Sequence, residues 1–298
     1  MFDYRTASSE DRTRFDYRIP NSIGSLDFHD SGFSNNGGDD DPPTHQQDLK
    51  EMGDLITGLR QGKLYRAPIP ANPHRILCIG RGFGGHANNI GTQYPDAKVL
   101  VVEPWPLDWY PKNVQFCEDN METRWGVGDN STCFVHLGSV IQSFSNRLHI
   151  YQEAFRILKP GGWIEIVHVG FDLYKNGVVL ENEYSACSKR LRLAGSGRNV
   201  DPILNIEAEL RGCGFTDIGD QISELPIGTW PEEEFLRDIG EEVREKMASD
   251  IVRNGTLQDW NTEAMLKLCF SASESLRIVD RAYFNVHTFI AQKPYGGI

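Results

Sequence analysis

The feature that most constrains this fold is a short apolar strand that runs into a glycine-rich turn. The strand is predicted over 75–79, and the glycines of the turn are Gly80, Gly82 and Gly84. Glycine lets the backbone bend sharply and lets a ligand approach without a Cβ in the way. About twenty residues further on, Glu103 ends a second predicted strand, where a carboxylate can accept hydrogen bonds from both hydroxyls of a ribose. The pattern therefore predicts a pocket for a mononucleotide or a dinucleotide.

Predicted strands and helices alternate along the rest of the chain, which is typical of an α/β fold with a parallel sheet. The strands are predicted at 75–79, 98–103, 114–118, 133–137, 163–169, 215–225 and 283–292. The helices are predicted at 46–64, 86–94, 145–158, 181–194, 203–213, 232–251 and 261–279. We expect the last two helices to form a helical insertion around residues 230–280.

The N-terminal part of the chain differs in composition from the rest. Residues 21–44 are rich in Gly, Asn, Asp, Ser and Pro, and such a segment cannot bury enough apolar surface to order itself. The sequence therefore predicts an N-terminal flap and a mobile loop over residues 1–45. Residues 46–298 are expected to carry the α/β domain.

Charge and composition exclude several classes of function. The net charge of −12 disfavours nucleic acid as a partner, because affinity for phosphates grows with lysine and arginine contacts. No apolar run approaches the roughly 20 residues of a membrane span, and the six scattered cysteines show no metal-binding spacing. We expect a cytoplasmic protein that acts on a small molecule, with a nuclear location left open. The oligomeric state is not predicted.

Segments downstream of the glycine turn are characteristic of a known family. The turn Leu158 to Gly162 precedes a predicted strand, as in many class I methyltransferases. The segments Pro111 to Phe116 and Pro226 to Pro231 are more specific, and those at 94–99 and 118–125 accompany them. Together they resemble the fungal LaeA-like family of class I S-adenosylmethionine-dependent methyltransferases.

The resemblance implies a Rossmann-like, seven-stranded and mostly parallel sheet with a helical cap. S-adenosyl-L-methionine would lie across the carboxyl ends of its strands. The positions that the resemblance assigns to the cofactor are Gly80, Arg81, Gly82, Gly84, Glu103, Asn120 and Met121. In this assignment Glu103 would hold the ribose, while Asn120 and Met121 would flank the adenine.

The chain departs from the family pattern at several positions, among them Gly138, where relatives carry an arginine. Cys78 replaces an aspartate before the glycines, and Cys133 replaces an aspartate on the fourth strand. Asn120 stands where relatives carry an acid beside the adenine, and Arg81 stands where they have a small residue. Arg81 would either pair with the carboxylate of the cofactor or fill the space for its methionine part. The first outcome leaves a working methyl-donor site, whereas the second blocks it.

Two histidines are candidate catalytic bases. Methyl transfer to a hydroxyl acceptor needs a group that takes the proton of the hydroxyl. His136 ends the fourth predicted strand and His168 ends the fifth, so both would open on the crevice where such sheets bind ligands. For each of them, a structural histidine bonded to a nearby carbonyl is the alternative interpretation.

The resemblance implies an S-adenosyl-L-methionine-dependent methyltransferase that acts on a small molecule in fungal secondary-metabolite biosynthesis. One alternative is a methyltransferase-like enzyme with a degenerate cofactor loop that catalyses a cyclisation or rearrangement without methyl transfer. Another is a regulatory binding protein with nuclear partners. The absence of a basic nuclear-import run counts against the second alternative.

Glu103→Ala is expected to weaken S-adenosylmethionine binding by about 1.5 to 3 kcal/mol, because a carboxylate that accepts ribose hydrogen bonds is lost. Titration calorimetry with the wild type and the variant measures the difference. An unchanged affinity would show that the ribose assignment is wrong.

Overall fold

The computed structural model describes residues 53–80, 84–102, 109–117, 121–138, 144, 146–196, 202–257 and 263–296. The predicted N-terminal flap and mobile loop at 1–45 lie outside the described residues. So do the predicted site residues Arg81, Gly82, Glu103 and Asn120.

The sheet of the described chain has eight strands. They are β1 (Arg75–Gly80), β2 (Lys98–Val102), β3 (Val114–Phe116), β4 (Thr132–Gly138), β5 (Leu158–Lys175), β6 (Val178–Val179), β7 (Thr216–Ile227) and β8 (Ala282–Gln292). The strand order is β3-β2-β1-β4-β5-β8-β7, and β6 pairs with β5 outside this path. Strands β1 to β5 are parallel, whereas β8 runs antiparallel to β5 and β7. The predicted Rossmann-like, mostly parallel seven-stranded sheet is confirmed, and the short β6 is an addition to it.

Helices follow most strands, as predicted. They are α1 (residues 53–59), α2 (Gly84–Gln93), α3 (Arg147–Ile157), α4 (Glu183–Ser196), α5 (Ile206–Gly212), α6 (Glu234–Leu257) and α7 (Glu263–Ile278). The last two lie between β7 and β8 in the chain. Within the described residues, none of these helices combines the length and the apolar character that crossing a membrane requires.

Several predicted boundaries are wrong, and two of these differences have a clear physical reason. The helix predicted at 203–213 is divided into a 3-10 helix (Pro202–Asn205) and α5, because Asn205 has ψ near 0° and caps the second segment. The strand predicted at 163–169 runs from Leu158 to Lys175. Gly161, with φ +79°, gives an irregularity within β5 rather than a turn before it, and pairing with β8 prolongs the strand beyond residue 169.

Alternate side chains of the sheet contact different helices. Ile76 and Cys78 of β1 pack with Ala87 and Ile90 of α2, on what we call the α2 face. Leu77 and Ile79 pack with residues of α3 and α5, on what we call the α3 face. This alternation follows from the two-residue period of a strand, and it lets neighbouring residues of one strand serve two separate cores.

Strands β5, β7 and β8 extend beyond the end of β4. The last residue of β4, Gly138, pairs with Val167, so β5 continues for eight residues past this level. On one side of this extension, Leu173 and Phe284 pack in a cluster with residues of α4, α6 and α7. We call this three-stranded extension the arm. It rises beside the edge at which β1, β2 and β4 end.

A buried carboxylate joins the N-terminal segment to the centre of the sheet. Glu165 of β5 is 0% exposed, and its Oε1 accepts a hydrogen bond of 3.0 Å from Nη1 of Arg60. Its Oε2 accepts hydrogen bonds from the backbone N–H groups of Arg66 and Ala67, at 2.7 and 2.9 Å. The second guanidinium nitrogen of Arg60 donates to the hydroxyl of Thr288 on β8. These bonds fix the segment that follows α1 against the α2 face.

Glu165→Gln is expected to lower the free energy of unfolding by about 3 to 5 kcal/mol, because the buried guanidinium of Arg60 loses its counter-charge. Urea titration of the full chain measures this difference. The matched control is Glu263→Gln, since Glu263 and Lys267 form a pair whose side chains are 83% and 74% exposed. That control should change the free energy by about 0.5 kcal/mol at most. Equal effects of the two variants would contradict the role given to Glu165.

Candidate functional site

The ends of the central parallel strands meet at one edge of the sheet. Gly80 is the last residue of β1 and pairs with Gly138, the last residue of β4. Val102, at the end of β2, pairs with Ile79. Because these two adjacent strands both end in glycine, neither of the two end residues places a side chain above the edge. Open α/β sheets bind ligands at this carboxyl edge.

The N-terminus of α2 faces the same region. This helix begins at Gly84, four residues after Gly80 along the chain. The first N–H groups of a helix have no partner within it, and they favour negative charge. The described ends of the glycine turn therefore bring flexible backbone and unsatisfied N–H groups to the carboxyl edge.

Met121 lies in the core on the α3 face. It is 6% exposed and belongs to a cluster that includes Leu100 and Val102 of β2. Its backbone carbonyl accepts a hydrogen bond of 2.9 Å from Nε1 of Trp125. Met121 is thus a fixed apolar residue next to the end of β2, on the side where the sequence assigned the adenine.

His136 lies on the α2 face and is fully buried. Its ring stacks on that of His86, in the first turn of α2, with ring centroids 4.2 Å apart. Its neighbours in the sheet are Cys78 and Glu165. Burial lowers the pKa of His136 well below its usual value, and the charges of His86 and Arg60 lower it further. Burial and the charge of Arg60 likewise lower the pKa of His86 to about 3.

His168 lies on the α3 face and is also 0% exposed. Among the described residues, neither of its ring nitrogens has a hydrogen-bond partner. The edge of its ring meets Phe171, with centroids 5.7 Å apart. Burial lowers the pKa of His168 to about 3, and the charges of His287 and Arg147 act in the same direction. The two predicted bases therefore lie on opposite faces of the sheet, and both imidazoles are neutral at pH 7.

Sequence reasoning missed a histidine–carboxylate pair beside His168. Nδ1 of His287 on β8 lies 3.0 Å from Oδ2 of Asp220 on β7. His287 is the direct antiparallel partner of His168. The alternating pattern of residues 283–292 predicted a strand that contains His287. No signal in the sequence indicated that this strand would lie between β5 and β7, next to His168.

A second group of buried polar side chains lies between α3 and α5. Nη2 of Arg147 donates to Oε1 of Glu209 at 2.7 Å. The hydroxyl of Tyr151, one turn after Arg147, is buried and has no hydrogen-bond partner in the part of the chain that the structure describes. Burial raises the pKa of Tyr151, as does the carboxylate of Glu209. After burial and the charge of His287, the charge of Arg147 also lowers the pKa of His168. The ion pair of Arg147 and Glu209 is therefore coupled electrostatically to His168 on the α3 face.

Comparison with known proteins gives relatives that match most of the chain. The methyltransferase pytC of Aspergillus terreus is 26% identical over 269 residues, which cover 84% of this chain and 81% of the relative. The protein-methionine methyltransferase laeA of Emericella nidulans is 29% identical over 250 residues, 78% of this chain and 65% of the relative. No protein-family model matches the chain.

Among solved structures, the chain is similar to phosphoethanolamine N-methyltransferase 2 of Haemonchus contortus in complex with S-adenosyl-L-methionine. The TM-score is 0.49 at 19% identity, with 81% of this chain and 52% of that chain covered.

The strand order and the antiparallel β8 define a protein of the class I methyltransferase fold. Over two thirds or more of its length, the chain is similar to the methyltransferase pytC and to the LaeA and LAE1 proteins of fungal secondary metabolism, at 26–29% identity.

The buried histidines predict a pH-dependent stability. His86, His136 and His168 stay neutral in the folded chain, whereas in the unfolded chain they bind protons below a pKa of about 6.5. Unfolding therefore takes up protons as the pH falls from about 6.5 towards 3, and stability is lost over that window. Well below pH 6.5, each histidine contributes about 1.4 kcal/mol per pH unit.

Urea titrations at pH 7.5, 6.5 and 5.5 measure this slope. His168→Asn should reduce the slope by about a third, because one of the three proton acceptors of the unfolded state is removed. A free energy of unfolding that does not change between pH 7.5 and 5.5 would contradict the neutral, buried state of these rings.

Proposed function

We propose that this chain is an S-adenosyl-L-methionine-dependent methyltransferase that acts on a small molecule in fungal secondary metabolism. The observation that carries the proposal is the carboxyl edge, where Gly80 and Gly138 end adjacent strands and α2 begins at Gly84. The relatives pytC and laeA, both named as methyltransferases, support it.

The described residues fit the chemistry of this cofactor. Glycine at two adjacent strand ends leaves room for the methionine part of the cofactor to lie close to the backbone. The N-terminus of α2 favours the negative charge of the methionine carboxylate. The buried apolar side chain of Met121 suits the flank of an adenine. In this proposal the turn from Gly80 to Gly84 follows the methionine part and Glu103 holds the ribose. When bound, S-adenosylmethionine supplies a methyl group activated by a positively charged sulfur.

His168 is the better of the two candidates for contact with the methyl acceptor. A buried imidazole without hydrogen bonds costs the fold about 1 to 3 kcal/mol, and both ring nitrogens of His168 are in this state. A bound hydroxyl group would satisfy one of them. His136 is the second candidate, but its ring is engaged with His86.

The methyltransferase relatives favour methyl transfer over a cyclisation or rearrangement in the same fold. The departures from the family pattern at Cys78, Arg81, Asn120 and Cys133 then belong to a modified methyl-donor site. Cys78 is 1% exposed and packs with α2. The exchange of the aspartate of the relatives for an uncharged cysteine therefore changes the core beneath the turn rather than the surface of the carboxyl edge.

Titration calorimetry with S-adenosylmethionine and S-adenosylhomocysteine tests the proposal. We expect both to bind the wild type, and we expect Arg81→Ala to weaken binding of both by about 1.5 to 3 kcal/mol through loss of a contact to the carboxylate. The matched control is Arg124→Ala, whose side chain is 73% exposed in a pair with Asp129, and it should bind like the wild type.

Cys78→Asp, which restores the acid of the relatives, should leave the affinity unchanged or raise it. Tighter binding by Arg81→Ala would mean that Arg81 blocks the methionine space, and it would overturn the proposal of a working methyl-donor site. The absence of binding to the wild type would overturn it as well.

A further inference from the structure

The arm presents a row of aromatic and titratable side chains on the α3 face. Along β8, Phe284 and Val286 pack into the cluster of α4, α6 and α7, so the alternate residues Tyr283 and His287 point to the other side. On β5, Tyr174 pairs directly with Tyr283. The two tyrosine rings stack at a centroid distance of 5.9 Å and an angle of 16°. This aromatic pair lies on the same face as His287.

The tyrosine pair is held in place by the arm itself. The N–H of Gly177, in the turn between β5 and β6, donates a hydrogen bond of 3.1 Å to the hydroxyl of Tyr283. Phe171, at the irregular part of β5, adds a third ring next to His168. Aromatic surfaces of this kind prefer stacked or edge-to-face contact with another ring. The row therefore suits a flat aromatic ligand.

The pair of Asp220 and His287 fixes which ring nitrogen of His287 carries the proton. A carboxylate only accepts hydrogen bonds, so the 3.0 Å contact requires the proton on Nδ1. Nε2 is then left with its lone pair. The side chains of His287 and Asp220 are 11% and 29% exposed, so this pair lies at the margin of the core with access to solvent.

His168 differs from His287 in both burial and charge environment. Its ring is completely buried, and its nitrogens have no hydrogen-bond partner within the described ranges of the chain. Burial, together with the charges of His287 and Arg147, disfavours its protonated form. It can hold a hydroxyl group as a neutral hydrogen-bond partner, but it is a poor final acceptor for a proton. The imidazole opposite it on β8 has a carboxylate at Nδ1 that would stabilise a positive charge.

We propose that the arm is the binding site of the methyl acceptor, that the acceptor is an aromatic hydroxyl compound, and that His287 is the catalytic residue that receives its proton, with Asp220 as a positioning residue. The inference rests on the proposed methyltransferase function and names the substrate class of that site. The aromatic ring lies against Phe171 and the tyrosine pair, and the hydroxyl group faces the two histidines.

In this site the proton moves from the acceptor to His287. The O–H bond of the acceptor breaks, its electron pair stays on oxygen, and the proton forms an N–H bond at Nε2 of His287. The resulting imidazolium is paired with the carboxylate of Asp220. The oxygen then carries the electron pair that forms its bond to the methyl group, which the sulfonium cofactor supplies while the carbon–sulfur electrons remain on sulfur. Solvent next to Asp220 can finally take the proton from His287.

The first test reads the position of the proton on His287 by nitrogen NMR of the full chain with labelled histidine. The chain has eight histidines, and His287→Gln assigns the signal by removing it. In the wild type we expect the neutral form to carry its proton on Nδ1. In Asp220→Asn the side-chain amide can donate to Nδ1, so the proton should move to Nε2, whereas Asp220→Glu should keep it on Nδ1.

The second test uses phenol as the probe and anisole as its matched control without the hydroxyl proton. Phenol should shift the ring signals of His168 and His287, whereas anisole should shift them much less. Asp220→Asn should bind phenol about tenfold more weakly, because Nε2 no longer accepts a hydrogen bond. The control variant His74→Gln, at an exposed position just before β1, should bind phenol like the wild type.

Several results would overturn the inference. They are a wild-type proton on Nε2 of His287, an unchanged tautomer in Asp220→Asn, equal effects of phenol and anisole, and no shift by either probe. None of these measurements requires the cofactor. A failure here with normal S-adenosylmethionine binding would therefore reject the acceptor site alone, whereas a chain that does not bind the cofactor would reject the proposed function.

Discussion

The buried carboxylate of Glu165 is the interaction on which the other parts of the structure depend. It stands at the centre of the sheet and accepts hydrogen bonds from Arg60 and from two backbone N–H groups of the N-terminal segment. Through Arg60 it keeps a positive charge beneath the α2 face, and that charge disfavours protonation of His86 and His136. The stacked, neutral imidazoles in turn support the first turn of α2, directly after the glycine turn. The stability of the fold and the support of the first turn of α2 therefore both depend on the carboxylate of Glu165.

The two faces of the sheet carry different parts of the proposed chemistry. On the α2 face, His136 contacts the ring of His86, which lies in the first turn of α2. On the α3 face, His168 and the pair of His287 and Asp220 lie where the arm rises past the end of β4. Because side chains alternate along a strand, neighbouring residues at one short sheet edge can serve two different faces.

The sequence predicted the parts of this arrangement that depend on local pattern. The seven strands and the start of α2 near the glycines follow from periodicity and turn residues, and the structure has them. The pairing of His168 with His287 depends on the insertion of β8 between β5 and β7, which is a tertiary choice. The sequence analysis expected His136 and His168 to open on the ligand crevice, but both are fully buried. Whether the end of a strand is exposed depends on which later elements pack beside it, and this is again a matter of tertiary structure.

The most direct test of this account is a crystal structure of the chain with S-adenosylhomocysteine. The account predicts the ligand at the carboxyl edge, above Gly80 and Gly138, with its ribose hydroxyls on the carboxylate of Glu103 and its adenine beside Met121. The sulfur should point towards the arm, on the side of His168 and His287. A ligand bound elsewhere, or a side chain of Arg81 that fills the space above Gly80 in crystals grown with saturating ligand, would contradict it.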